Sequence, residues 1–222
     1  MMRAIKFLFK FGIYFILITV AWVGLYAIVP PPITATMIMD ENKITKDWTS
    51  FDAISPNMAR AVIAAEDSKF CNHNGFDTEA IQKAIEKNAK GGRIRGGSTI
   101  SQQVSKNAFL WQGGGFFRKG LEAYFTFLVE TIWSKKRIME VYLNIAETGI
   151  GTYGVQAGAQ RYFKKDAQDL TRIEAARIAA ALPLPKKRAV IGASGFTRRY
   201  GNTIAARINV VKRDKLDSCI YK

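Results

Sequence analysis

Two carboxylates and a cluster of cations are the side chains of this sequence best suited to chemistry. Glu66 follows Val62 and Ile63 by four and three positions, so on a helix its carboxyl group lies on the apolar face, close to the helix end. Partial removal from water raises a carboxylate's pKa toward neutrality, the condition for a general base or acid. The competing reading is a helix-end glutamate that bends to solvent or pairs with Lys69. Glu122 stands four residues after Arg118 and three after Lys119, beside both on one helical face. On an open surface such a pair contributes only about 0.3–0.5 kcal/mol. In a cleft the trio would keep a carboxylate ionised and leave cation to spare for a phosphate.

The stretch RGGSTISQQVSKN (95–107) reads as a glycine loop entering a helix. Gly96 and Gly97 let backbone approach a ligand closely, and a helix N-terminus favours an anion. Ser98, Thr99, Gln102, Gln103 and Lys106 bring donors to that end; a plain helix cap is the alternative. The pattern is not a phosphate-binding Walker loop, which needs G-x-x-x-x-G-K-[ST]. His73, the single histidine, and neighbouring Cys71 give at most two metal ligands, so His73 reads as a structural hydrogen-bonding residue. Tyr142 and Phe125 read as core.

These residues must be positioned by helices, because a period near 3.6 dominates and no long alternating strand stands out. Ser55-Pro56 starts one helix, running on through NMARAVIAAEDSKF. Further helices are expected from about Thr78 to Lys90, closed by Gly91-Gly92, and from Thr99 to Leu110. A long one spans about Phe117 to Trp133, with Leu121, Phe125, Leu128 and Ile132 on one buried stripe. Ser134 caps the next, KKRIMEVYLNIAE, and the glycine-rich TGIGTYG returns the chain to a loop. Thr171 and Glu174 form a capping box ahead of a helix that Pro183 and Pro185 terminate. Residues 33–50 read as an extended connector. The basic carboxyl-terminal stretch reads as a helical face packed on the core, the alternative being a surface resting on anionic headgroups.

Composition narrows the partners. The 222 residues carry 33 Lys and Arg against 18 Asp and Glu, a net charge of +15, with 48% hydrophobic residues. That excludes a disordered chain, and two cysteines exclude a disulfide scaffold. Phe11 to Val29 holds no charged side chain and as a helix measures roughly 28 Å, the thickness of a bilayer's hydrocarbon. Arg3, Lys6 and Lys10 precede it, and Asp40 and Glu41 are the first charges after it, which orients the amino terminus to the cytoplasm. A cleaved signal peptide would have a shorter core of about 7–15 residues; here Pro30-Pro31-Pro32 follows a longer one, favouring an uncleaved anchor. The expected organisation is a cytoplasmic tail (1–10), a transmembrane anchor (11–29), a connector (30–50) and one mainly α domain (51–222).

Together these segments resemble the peptidoglycan glycosyltransferases. Glu66-Asp67-Ser68-Lys69-Phe70-Cys71-Asn72-His73 is similar to that family's E-D-x-x-F-x-x-H motif, with Phe70 and His73 in its structural positions. GGSTISQQ (96–103) resembles the second motif and Arg118-Lys119-Gly120-Leu121-Glu122 the third. Residues 135–163 and 173–185 are similar to the fourth and fifth. Two departures stand out: Ser101 where the family commonly has Thr, and a linker, WQGGGFF, without Lys or Arg. The resemblance implies a lysozyme-like, two-lobed helical fold after one transmembrane helix, in a monofunctional member with no room for a penicillin-binding transpeptidase domain.

It further implies polymerisation of lipid II at the outer face of the bacterial inner membrane, with the domain periplasmic. Glu66 would be the general base and Glu122 the second catalytic carboxylate. Ser98, Thr99, Gln102, Gln103, Lys106, Arg118 and Lys119 would bind substrate. Mg²⁺ or Mn²⁺ would travel with the substrate pyrophosphate, without a dedicated protein metal site and without an organic cofactor. The implied partners are lipid II, the lipid-linked glycan, the membrane and other cell-wall synthesis proteins, not nucleic acid. Two rival readings are a lytic transglycosylase or lysozyme-like hydrolase, and a non-enzymatic basic protein tethered to the membrane.

Overall fold

The structure, a computed structural model, describes residues 2–89 and 97–221; the positions read as Lys90, Gly91, Gly92 and Gly96 lie outside them. Helix α1 (Met2–Ile28) is long and apolar enough, by length and composition, to cross a membrane. Ten helices are described, so the mainly α expectation holds.

This helix does not stand apart from the body. In α6 (Gly115–Ile132), Tyr124 shares a 2.7 Å hydroxyl–hydroxyl hydrogen bond with Thr19 of α1. Trp22 packs edge-on against Phe109 and Phe125. The Trp133 indole donates to the Val23 carbonyl at 2.8 Å, and the Arg137 guanidinium donates to the carbonyls of Tyr26 and Val29. Trp22 and Tyr26 thus both touch the body.

Two helical groups face each other. α3 (Pro56–Glu66) packs with α9 (Arg172–Ala181) and α10 (Gly195–Arg213). α5 (Ile100–Phe109) packs with α6 and α7 (Lys135–Ile145). The caps are those the sequence announces: Ser134 accepts from the Arg137 amide, and Thr171 with Glu174 closes a reciprocal box. α10 is the basic carboxyl-terminal stretch, and its Ile204, Ile208 and Val211 are buried. α4 (Thr78–Ala89) and α8 (Val155–Phe163) complete the body.

Several boundaries differ from expectation. α3 stops at Glu66, not near Phe70, because Asp67 leaves helical geometry and turns its carboxylate to other partners. α6 begins at Gly115, its N-cap Gly114 holding a φ of 85° that suits glycine. On α6 the buried stripe is Phe125, Leu128 and Val129; Ile132 is exposed because the helix ends there and Trp133 turns inward instead. The connector is not simply extended. It forms α2 (Ala35–Ile38), capped by Thr34, and β1 (Thr45–Lys46). β1 pairs in parallel with β3 (Thr152–Tyr153), which pairs antiparallel with β2 (Glu147–Gly149), so residues 30–50 are stitched to the body. Cys71 and Cys219, whose pairing the sequence leaves open, form a disulfide across 148 residues.

Candidate active site

Glu66 is the last residue of α3, and its neighbours decide its character. The side-chain amide of Gln103, on α5, donates to a Glu66 carboxylate oxygen at 2.9 Å. Tyr200, on α10, donates to the Ala65 carbonyl at 2.8 Å, so a residue of each helical group and the carboxyl-terminal helix meet at this helix end. Burial pushes the Glu66 carboxyl above the usual carboxylate range. The Gln103 hydrogen bond and the charges of Arg188 and Lys106 oppose that shift, and Asp67 adds to it. A carboxylate held this way takes up a proton more readily than one in water.

The start of α5 is fixed from beneath. Thr99 accepts from the Gln102 amide, Gln102 accepts from the Thr99 amide, and the Thr99 hydroxyl donates to the Gly75 carbonyl at 2.6 Å. Asp67 accepts from the Ile100 amide at 3.1 Å and from His73 Nε2 at 3.0 Å. His73 Nδ1 in turn accepts from the Gly75 amide, which places the ring proton on Nε2. Gly75 has a φ of 88°, and a Cβ there would lie 2.7 Å from Thr126. His73 is thus hydrogen-bonded through both ring nitrogens within its own loop, and Phe70 is fully buried. Thr99 and Gln102 stand among the expected ligand donors. Both are buried, and their side-chain oxygens are spent on the cap rather than turned to a ligand.

Gln103 and Lys106 share one face of α5. Burial draws the Lys106 ammonium below its usual range, and Glu122 is the largest influence opposing this; Arg118 and Lys119 add to the depression, and Glu66 opposes it. Lys106 thus lies within electrostatic reach of both glutamates. Glu122 is 2% exposed. One of its oxygens accepts from Arg118 at 2.7 Å and the other from Lys119, which also reaches the Ser98 hydroxyl at 3.3 Å. Three cations surround one carboxylate, so this end of the site carries a surplus of two positive charges. Gly97 directly precedes Ser98, outside any helix or strand.

Gln103 and Lys106 also line a cleft of about 450 Å³ whose opposite wall is Asp40, Glu147, Tyr153 and Lys186. Tyr153 donates to Asp40 at 2.7 Å and Lys186 donates to it at 3.1 Å. The Asn42 and Tyr153 hydrogen bonds hold the Asp40 carboxyl well below its usual range. Burial pushes the Glu147 carboxyl up, against Lys186.

Residues 33–211 match the sequence profile of the Transglycosylase family. The chain belongs to that family. It is 50% identical to the biosynthetic peptidoglycan transglycosylase of Caulobacter vibrioides over 199 residues, covering 88% of this chain and 87% of the relative. It is 53% identical over 186 residues to the protein of that name from Mannheimia succiniciproducens, covering 79% and 76%. The one from Pseudomonas aeruginosa is 48% identical over 191 residues, covering 81% and 82%.

As a transglycosylase the chain is an enzyme, a glycosyltransferase, with the lysozyme-like helical domain of the family. Its supporting network includes residues that sequence reasoning missed. Glu130 accepts from Ser101 and from Lys135 at 2.8 Å, and Lys135 also donates to the His73 carbonyl at 2.6 Å. α5, α6, α7 and the loop after Glu66 are thereby tied at one point. The Ser101 hydroxyl serves this tie, as a threonine hydroxyl would. Among the described residues no group of three or more His, Cys, Asp or Glu is arranged to hold a metal ion. Glu122, the carboxylate nearest the cations, already has both oxygens committed, so these residues do not make a cage for a divalent ion.

Proposed function

We propose that this peptidoglycan transglycosylase polymerises lipid II, transferring the growing glycan from its undecaprenyl pyrophosphate to the 4-hydroxyl of an incoming GlcNAc. The anomeric carbon inverts and a β-1,4 bond forms. A sugar hydroxyl is a poor nucleophile at neutral pH, and Glu66 accepts its proton as the new C–O bond forms. The breaking bond leaves its electron pair on the pyrophosphate, whose growing charge Lys106 and Arg118 stabilise. Glu122 holds Arg118 and Lys119 in place, while Ser98 and Gln103 line the donor and acceptor sides. Any Mg²⁺ or Mn²⁺ is carried by the pyrophosphate.

The observation that carries this reading is Lys106, half-buried between a carboxylate of raised pKa and the Arg118–Lys119–Glu122 cluster, so that the three cations outnumber Glu122 by two. A hydrolase cleaves a bond between two sugars and releases no pyrophosphate, so it has no use for that excess beside its reacting groups. The anchor is read as single-pass with its amino terminus cytoplasmic, from the basic residues before it and the acidic ones after it. The Cys71–Cys219 disulfide agrees with a domain on the oxidising side. Incubation of the purified protein with lipid II should release undecaprenyl pyrophosphate as glycan lengthens. Glu66→Gln should lower turnover by about 10²–10⁴ with substrate still bound. Shortening of finished sacculi without polymer growth would favour the hydrolase, and near wild-type turnover by Glu66→Gln would remove the assignment.

A further inference from the structure

The cleft does not end at Lys186. It shares Pro185 and Lys186 with a second hollow of about 310 Å³, whose walls include Arg161, Lys187 and Arg188. That hollow shares Ala189 with a third, of about 190 Å³, between α9 and α10, where Arg177, Thr197, Arg198 and Asn202 face the space. No acidic residue lines the second or third hollow. Among the described residues the side chains of Arg177, Lys187 and Arg198 make no hydrogen bond or ion pair, whereas Arg188 is held, donating to the Ala180 carbonyl and stacking on Phe196 and Tyr200. Arg188 is also within electrostatic reach of Glu66. A series of hollows that share wall residues and are rimmed by cations therefore leads from the cleft, along residues 185–193, to the groove between α9 and α10.

We propose that this series is the track of the glycan strand, with Lys187, Arg177 and Arg198 holding the carboxylates of its stem peptides. The inference rests on the lipid II reading above. Once polymerised, the strand carries its pyrophosphate at one end only, so its remaining charge lies in peptide carboxylates repeated along its length. Unpaired arginine forks match carboxylates, and polar Thr197 and Asn202 suit sugar hydroxyls. An undecaprenyl chain would be a poor occupant of hollows rimmed by cations.

The test uses the full-length enzyme with Arg177→Gln, Lys187→Gln and Arg198→Gln combined, none of which touches the reacting groups. The rate of the first coupling, between two lipid II molecules, should match wild type, which also establishes that the variant folds. The mean strand length should fall about three- to five-fold, as expected for losing three exposed charge contacts. With lipid II whose stem carboxylates are amidated, wild type and variant should give strands of equal length. Unchanged lengths on native lipid II overturn the track alone, as does equal shortening on both substrates. Absence of polymer from the wild-type enzyme overturns the polymerase reading and the track with it.

Discussion

Glu122→Gln separates the electrostatic role of this carboxylate from a merely structural one. The side chain is almost fully buried and accepts from Arg118, itself largely buried, and from Lys119, which is about half exposed. Removing one partner of a buried pair costs about 3–5 kcal/mol. Solvent screens the Lys119 share, so the lower figure applies, about 3 kcal/mol. At about 2–4 °C per kcal/mol for a protein of this size, the melting temperature should fall by about 6–12 °C.

The second consequence concerns pH. Burial depresses the pKa of Lys106, and the negative charge of Glu122 is the strongest influence holding it up. Neutralising Glu122 lets it fall further, so Lys106 loses its proton at lower pH and, in the proposed mechanism, its charge is no longer available to the leaving pyrophosphate. The alkaline limb of kcat/KM against pH should move to lower pH, while the acid limb, governed by Glu66, stays. Activity should be best preserved toward the acid side of the profile. Steady-state rates with lipid II across the pH range, with thermal melts on the same samples, read both effects. A profile lowered uniformly, with its alkaline limb in place, would refute the coupling of Glu122 to Lys106.

Three further outcomes follow from other contacts. Burial raises the folded-state pKa of Glu66, so its contribution to stability is full below the unfolded pKa and is lost as pH rises through the folded value. Glu66→Gln should melt with wild type in acid and above it at neutral pH; a lower melting temperature at neutral pH contradicts this. The disulfide closes a loop of 148 residues, for which chain entropy gives about 5 kcal/mol, with measured values more often about 2–4. Reduction, or Cys71→Ser with Cys219→Ser, should therefore lower the melting temperature by about 5–15 °C, and an unchanged melt would show the crosslink to be dispensable. Deleting residues 1–28 uncovers Phe109, Tyr124, Phe125 and Trp133, which α1 contacts. The truncated protein should aggregate without detergent and bind a hydrophobic dye; a monodisperse, dye-silent product would mean that α1 is only a tether.

What could be read from the sequence was local. Glu66 at the end of an apolar face, the Arg118–Lys119–Glu122 spacing and the Thr171–Glu174 cap each depend on residues within one or two helical turns. The same patterns carry the helix order. The three strands span only two or three residues each, too short for alternation to register. Asp40 with Tyr153, and Asp67 with the α5 amide, join residues 113 and 33 positions apart, and no spacing rule encodes such pairs. Thr99 and Gln102 show the opposite difficulty. The same polar residues serve a helix cap or a ligand, and only the structure distinguishes the two uses.

In the proposed mechanism the two glutamates give one side-chain type two tasks. Both lie beside Lys106, so proximity to that cation does not separate them. What differs is the rest of the shell. Glu66 has a single neutral donor, Gln103, and its burial is otherwise uncompensated by contact, which leaves its proton affinity high. Glu122 has a cation in contact with each oxygen, so its charge is spent on holding Arg118 and Lys119 in place. Exchange of a proton needs a carboxylate free to change state, and receipt of a pyrophosphate needs cations fixed in position. Here the assignment follows from which helix supplies the neighbours: an amide from α5 for one, two cations from a single turn of α6 for the other.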